Sequence, residues 1–148
     1  MKISTSLFGE IEIQKDKVIS FDNGIPAFPE ETSFIILHDE EDENNILSWL
    51  QSTNDPQLTF AIIDILRVMP TYSPLISEED LFSIGEYEKS DFFIYSIATV
   101  PDTVTDITVN LKGPIIINAK TCKGRQVIAE NDDYPIRFNI FEAIQKRK

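Results

Sequence analysis

Residues 110–137 constrain the fold of this chain more than any other stretch. They contain two short β-branched runs, 115–117 and 127–128, each with turn-forming residues on both sides. Short apolar runs bounded by turn signals are typical of buried strands rather than of helices. We therefore predict strands over 115–118 and 125–129.

A polar segment over 120–124 joins these two predicted strands and indicates a tight hairpin turn. Gly124 closes the segment and can adopt the positive φ that such a turn often needs. Beyond the second strand, an acidic turn over 131–133 and then Tyr134-Pro135 lead the chain out of the sheet. The stretch is therefore interpreted as a scaffold with a polar rim, and it contains no catalytic constellation.

Alternating or continuous apolar patterns predict further strands along the chain. Residues 9–14 alternate, so that Ile11 and Ile13 point inward, and a turn joins them to 18–21 as a half-exposed hairpin. Further strands are predicted over 33–37, 59–65, 91–100 and 107–111, of which 91–100 is apolar on both faces and is expected to be covered on both.

Two short helices are predicted among the strands. Ser77 is a good N-cap for a helix over 78–84, and Gly85 can end that helix from the C′ position. A second helix begins near Asn139, while residues 67–74 form a loop or an edge segment. Strands at intervals of about ten residues predict an all-β, mainly antiparallel fold. We expect a small β-barrel or sandwich-like domain, and a single domain over the whole chain.

The charge balance restricts the partners. Asp and Glu number 25 against 13 Lys and Arg, which gives a formal net charge of -12. Such a surface repels phosphate backbones, so we expect no direct nucleic-acid binding and favour a basic protein partner, with solubility as an equally good reason for the acidity. Cys122 is the only cysteine, which excludes an intrachain disulfide and suits a reducing compartment. No apolar run is long enough for a signal peptide or a membrane span, so we expect a cytoplasmic protein.

Residue types that carry chemistry are few. One histidine and one cysteine, distant in sequence, are too few for a zinc site. Cys122 lies among basic residues that favour a thiolate, but a place in the hairpin is the simpler interpretation. The adjacent carboxylates Asp132 and Asp133 are typical turn formers rather than an acid–base pair. We therefore predict no enzyme activity and no cofactor.

Four segments resemble one protein family. The sequence FDNGIPAF over 21–28 resembles the F-x-x-G-I-P-G-F stretch of the flagellar assembly factor FliW family. Segments 110–118, 124–128 and 133–137 resemble the C-terminal half of that family, in the same order and spacing. Ala27 stands where the family usually has glycine, so a need for positive φ at that position would strain the loop.

The resemblance implies a regulator that binds two proteins. Members of the family bind flagellin in the cytoplasm, and they also bind CsrA, the RNA-binding repressor of flagellin messenger RNA translation. When flagellin is exported, the released family member binds CsrA, acts on it allosterically and relieves repression. A groove that takes an amphipathic helix would suit the flagellin contact. We expect a monomer, and the alternatives are a small-molecule-binding barrel or a generic export chaperone.

Partner contacts are expected on three irregular segments, namely the loop 23–28, the acidic run 39–43 and the rim 118–137. The apolar residues of the loop either cap the core or face a partner, and the acidic run serves either solubility and edge protection or electrostatic docking. The residues expected to contact a partner are Asn23, Gly24, Ile25, Phe28, Asp39, Glu40, Glu41, Asn118, Arg125, Asp132, Asp133, Tyr134 and Arg137.

Overall fold

The computed structural model describes residues 1–38 and 46–147, and its centre is a closed β-barrel of seven strands. β3, β4, β5, β6, β7, β9 and β10 follow one another round the barrel, and β8 and β11 continue the sheet beside β7. The strands are β1 (Lys2–Thr5), β2 (Gly9–Glu12), β3 (Ile19–Ser20), β4 (Ser33–His38), β5 (Leu47–Ser52), β6 (Thr59–Asp64), β7 (Phe92–Thr99), β8 (Thr108–Val109), β9 (Ile115–Asn118), β10 (Lys123–Gln126) and β11 (Phe138–Asn139).

Strand pairing confirms the predicted mainly antiparallel all-β fold. Within the described residues, the seam between β3 and β10 is the single parallel pairing, with Lys123 opposite Ser20. The barrel closes where β7 pairs with β9 and places Phe93 opposite Ile117. Closure leaves the barrel itself without a free edge for pairing with another chain.

The barrel interior holds one apolar core. Successive residues of a strand point to opposite faces, so Phe34 of β4 packs inside the barrel while its neighbour Ile35 packs outside. Phe21 and Phe34 meet edge to face with ring centroids 5.2 Å apart. The buried interior residues are Ile19, Phe21, Ile25, Phe34, Leu50, Leu58, Ile62, Ile115 and Ile117.

Three small layers cover the outer face of the barrel. The β1–β2 hairpin places Ile3 against Ile35 of β4. The helices α1 (Ile65–Val68) and α3 (Phe141–Arg147) cover a second face. The helix α2 (Glu78–Phe82) covers a third face over Ile116 of β9. Each layer buries the outward apolar residues that a barrel strand presents every second position.

The described residues contain three α-helices where the sequence predicted two. The extra helix is α1, in a region expected to begin a loop or an edge segment. Its Ile65 and Val68 are both buried and lie three residues apart, which puts them on one face of a single helical turn. One turn is too short for a periodic pattern, which is why the sequence did not indicate it.

Both predicted helices are present, and Ser77 is the N-cap of α2 as predicted. The end of α2 differs, because the helix stops at Phe82 with Ser83 as its C-cap, so Gly85 is not at the C′ position. The Ser77 hydroxyl accepts a hydrogen bond from the backbone N–H of Asp80 at 3.1 Å, and Gly85 has a φ of +104° after the last turn of α2. At the start of α3, the Asn139 side chain accepts from the backbone N–H of Phe141 at 3.0 Å. The start of α2 therefore follows from the cap that the sequence showed, and α3 begins two residues after Asn139.

The N-terminal hairpin differs from the prediction. β2 pairs with β1, with Ile3 opposite Ile11, and not with the segment 18–21. β3 instead takes a place in the barrel between β4 and β10. The missed signal was the short alternation over residues 2–5, whose two buried side chains are Ile3 and Thr5.

The second strand of the 110–137 stretch is also corrected. β10 begins at Lys123, two residues before the predicted start, and the left-handed residue of the turn is Cys122, with a φ of +54°. Gly124 lies inside the strand, and glycine is needed there because the aromatic ring of Phe21 packs against it. A Cβ atom at Gly124 would lie 2.6 Å from Cζ of Phe21. After β10 ends, Val127 is buried while Ile128 is 63% exposed.

Two further strand predictions hold only in part. β7 was expected to be covered on both faces, but Phe93 near its start is 51% exposed. The strand predicted over 107–111 is reduced to β8, although Ile107, Val109 and Leu111 are all buried as the alternation predicted. Irregular backbone hydrogen bonds to Pro135, from Leu111 and its successor, replace the ladder there.

Candidate partner-binding surfaces

The loop 23–28 is built on Gly24, which has a φ of +64° and closes against the backbone of Phe28 and Pro29. Ile25 is 3% exposed and belongs to the barrel core, so the core-capping alternative is confirmed for this residue. Phe28 is 41% exposed, and its ring lies edge-on to Phe60 with centroids 5.9 Å apart. The loop therefore offers Asn23 and Phe28, but not Ile25, to a partner.

Ala27, at the position where the family usually has glycine, shows no backbone strain. Of the non-glycine residues described, Cys122 has a positive φ and Ala27 does not. The left-handed conformation is taken by Gly24 instead. Alanine at position 27 is therefore compatible with the loop backbone.

Asn23 and Arg125 are brought together although they are far apart in sequence. Both line a shallow depression between the loop and the start of β10. Lys123 spans one side of it through a 3.0 Å ion pair with Asp22, and Arg125 lies 3.7 Å from a carboxylate oxygen of Asp80 in α2. Both pairs are partly exposed, so they orient the side chains more than they stabilise the fold.

Asn118 is buried and is not part of a binding surface. Its side chain is fully buried, donates to the carbonyl of Glu86 at 3.0 Å and accepts from the backbone N–H of Lys120 at 2.9 Å. The neighbouring Thr121 hydroxyl donates to the carbonyl of Ile84. These bonds fasten the segment after α2 to the β9–β10 turn.

Residues Asp39, Glu40 and Glu41, with the rest of the predicted acidic docking site over 39–43, lie outside the described residues. Their predicted role in partner binding stays a prediction.

The rim after β10 is held in place by an irregular network. Asn131 accepts from the backbone N–H of Leu75 at 2.6 Å through its side-chain oxygen, and Lys112 donates to the Asn131 carbonyl at 2.7 Å. The Tyr134 hydroxyl accepts from the backbone N–H of Ser73 at 2.8 Å. Asp132, Asp133 and Arg137, predicted to contact a partner, are exposed around this network.

Tyr134 also packs against a buried tyrosine. Its ring centroid lies 4.9 Å from that of Tyr72, whose hydroxyl donates to the carbonyl of Leu111 at 2.7 Å. Burial, and then the neighbouring Tyr134, raise the pKa of Tyr72 well above the ordinary tyrosine value. Tyr134 therefore helps to hold the fold through its ring and its hydroxyl, and its exposed part borders the rim.

Sequence reasoning missed the apolar side chains of this region. Ile128 and Ile136 are 63% and 66% exposed, and Leu75 is 58% exposed. The sequence placed Ile128 in a buried strand, because a run of two β-branched residues does not show which of them points inward. In the structure the inward side chains are those of Val127 and Ala129, on either side of Ile128.

A cavity of about 580 Å³ opens at the end of the barrel where β4 and β9 end and β7 begins. Ile36, Phe93, Tyr95 and Ile117 supply apolar lining, and His38 stands at its edge. Burial raises the pKa of Tyr95, Asp64 adds to the shift and Arg67 opposes it. The phenol in this cavity is therefore neutral at physiological pH.

Residues 1–38 and 46–147 hold no group of three or more His, Cys, Asp or Glu side chains placed to bind a metal ion. Over the same part of the chain, no helix has the length and apolar character needed to cross a membrane.

These features define a class of protein, a small acidic β-barrel whose surface carries exposed apolar side chains beside carboxylates. The FliW protein family model matches residues 2–140. The flagellar assembly factor FliW of Lachnoclostridium phytofermentans is 39% identical over 99% of this chain and 95% of its own length, and that of Lachnospira eligens is 38% identical over 100% and 99%. A crystal structure of the flagellar assembly factor FliW superposes with a TM-score of 0.85, at 34% identity over 95% of this chain and 96% of that one.

The chain belongs to the FliW family. The resemblance drawn from the sequence motifs is thereby confirmed, and so is the β-barrel fold. The relatives are named as flagellar assembly factors.

Proposed function

We propose that this protein binds flagellin and, when free of flagellin, binds and antagonises the translational repressor CsrA. Export of flagellin would release the protein, and the released protein would relieve repression of flagellin messenger RNA. Membership of the FliW family over residues 2–140 is the observation that carries the proposal. The protein would act in the cytoplasm as a monomeric single domain and without catalysis.

The charge of the chain supports the second half of this switch. A net charge of -12 attracts a cationic RNA-binding protein and speeds its association. Carboxylates held close to the RNA-binding surface of such a partner would also repel RNA. An acidic binder therefore opposes RNA binding even where it does not occupy the RNA site.

Translation of flagellin messenger RNA in a cell-free system tests the proposal. CsrA should repress synthesis, this protein should restore it, and added flagellin should restore repression by sequestering the protein. A matched messenger RNA without CsrA sites is the control. If the protein leaves repression unchanged at any concentration, antagonism of CsrA is refuted, and if flagellin does not reverse its effect, the partner switch is refuted.

A second candidate function is binding of a small apolar molecule in the cavity at the barrel end. Its volume of about 580 Å³ and its lining by Phe93 and Tyr95 favour this possibility. A bound ligand would raise the melting temperature with the logarithm of its concentration once that concentration exceeds Kd. A thermal-shift screen with aromatic and acyl compounds, repeated on Phe93→Ser, would reveal it.

A further inference from the structure

Three of the most exposed apolar side chains of the described residues lie on neighbouring segments of the chain. Ile136, Ile128 and Leu75 are among the five most exposed large apolar side chains, at 66%, 63% and 58%. Backbone hydrogen bonds place their segments side by side. The N–H of Glu130 donates to the carbonyl of Leu75 at 2.7 Å, and the N–H of Ala129 donates to the carbonyl of Lys112 at 2.8 Å.

Lys112 links the segment of Ile136 to the segments of Leu75 and Ile128. Its backbone N–H donates to the carbonyl of Pro135, the residue before Ile136. Ile128 and Ile136 therefore flank the Lys112 backbone, within about two strand spacings, or ~10 Å, of each other. We call Leu75, Ile128 and Ile136 the C-terminal patch. Apolar side chains gathered on a surface in this way mark interaction sites more often than singly scattered ones do.

Hydrogen bonds hold the backbone segments that carry the patch. Asn131 holds Leu75 through its side-chain oxygen and donates to the carbonyl of Ser73 at 3.2 Å. The ammonium group of Lys112 donates to the backbone carbonyl of Asn131. A patch held by such bonds loses little conformational freedom on binding, which favours affinity.

Acidic residues are frequent in the segments that carry the patch. Five exposed acidic residues lie within four positions of Leu75 or of Ile128 and Ile136 in the sequence, and none of them is in an ion pair between described residues. The basic side chains of these segments are Lys112, Arg125 and Arg137, and Arg125 is paired with Asp80. The five are Glu78, Glu79, Glu130, Asp132 and Asp133.

We propose that the C-terminal patch docks the cationic RNA-binding partner of the proposed switch, through apolar side chains of that partner flanked by Lys or Arg. The inference rests on the proposed function and assigns one of its two contacts to this surface. An apolar centre would supply affinity, while the carboxylates of the segments that carry it would select a basic partner and raise its association rate. Flagellin would bind elsewhere on the protein.

The test compares patch variants with a matched control. Ile128→Ser and Ile136→Ser remove exposed side chains, so folding should be retained and circular dichroism can verify it. Val104→Ser is the control, since Val104 is 59% exposed and lies outside the patch. CsrA and flagellin are each titrated into the wild type and the three variants by calorimetry.

Each patch variant should weaken CsrA binding at least tenfold, while Val104→Ser binds like the wild type and all four proteins keep their flagellin affinity. Asp132→Asn with Asp133→Asn should slow association with CsrA and flatten its dependence on salt. Patch variants that bind CsrA within twofold of the wild type would overturn the inference while the proposed function stands.

Other outcomes also overturn the assignment. Loss of flagellin binding in the patch variants would show that the patch serves flagellin or both partners. A wild type that is dimeric, with monomeric patch variants that bind CsrA normally, would show that the patch is covered by a second copy. A wild type that fails to bind CsrA refutes the proposed function itself, and this outcome is separate because it is read before any variant is compared.

Discussion

Substitution of Gly24 by alanine tests how the loop 23–28 is held. Gly24 has a φ of +64°, and a Cβ atom there would lie 2.6 Å from the carbonyl oxygen of Phe28 and 2.6 Å from two backbone atoms of Pro29. Real Cβ atoms do not approach backbone that closely, so the loop would have to move. Because the obstructing atoms are backbone, no rotation of a side chain can relieve the contact.

Gly9 provides the matched control. Its φ of +69° is nearly the same, but a Cβ atom at this position would have no neighbouring atom within 4 Å. Gly9→Ala should therefore cost only the left-handed conformation of an L-residue, about 1 to 2 kcal/mol. Gly24→Ala should add a packing cost of about 1 to 3 kcal/mol. The stabilising effect of alanine on the unfolded chain is common to both variants and cancels.

Urea unfolding followed by tryptophan fluorescence and thermal scans measures both variants. At about 3 °C per kcal/mol for a chain of this size, Gly24→Ala should melt about 3 to 9 °C below Gly9→Ala. Equal losses in the two variants would show that the loop moves freely and that the close approach of Gly24 to Phe28 and Pro29 does not hold it. Gly24→Ala should also weaken partner binding if the loop forms part of a binding surface.

Three further substitutions test other parts of the account. Gly124→Ala should reduce the free energy of unfolding by about 1 to 3 kcal/mol, because its Cβ would lie 2.6 Å from the ring of Phe21. When it is combined with Phe21→Leu, the two losses measured by urea unfolding should be less than additive. Additive losses would refute the contact. Asn118→Ala should cost about 2 to 3 kcal/mol, because it leaves the carbonyl of Glu86 and a turn N–H without partners, and a loss below about 0.5 kcal/mol in the same assay would contradict the structural role. Burial raises the pKa of Tyr72 above 10.0, so above that pH the folded protein keeps a proton that the unfolded chain loses. The contribution of Tyr72 to the free energy of unfolding is therefore full below pH 10. Above pH 10 it falls by up to about 1.4 kcal/mol per pH unit. Tyr72→Phe should reduce that alkaline slope in urea titrations, and an unchanged slope would contradict the assignment.

The parts of the fold that sequence reasoning predicted are those set by local pattern. β9 was predicted with its observed bounds because a run of three β-branched residues lies between turn-forming residues, and all four residues of the strand are buried. The cap of α2 followed from Ser77 for the same local reason. Alternation predicted the burial of Ile107, Val109 and Leu111 even though most of that segment is not a regular strand.

The failures have a common physical origin in contacts between distant residues. Gly124 was placed in the turn by local turn chemistry, but the ring of Phe21, more than a hundred positions earlier, requires glycine inside β10. Asn118 was placed on a binding surface because it is polar, whereas the Glu86 carbonyl, 32 positions away, satisfies it inside the fold. Ile128 is an exception with a local cause, because a run of two β-branched residues does not show which side chain points inward.

A displacement titration tests the central claim most directly. Flagellin is titrated by calorimetry into a preformed complex of this protein with CsrA, and the CsrA released is followed by size-exclusion chromatography. The partner-switch account predicts saturable binding of each partner alone and release of CsrA as flagellin is added. Binding of neither partner would contradict the account, and a stable ternary complex that retains CsrA would contradict the switch.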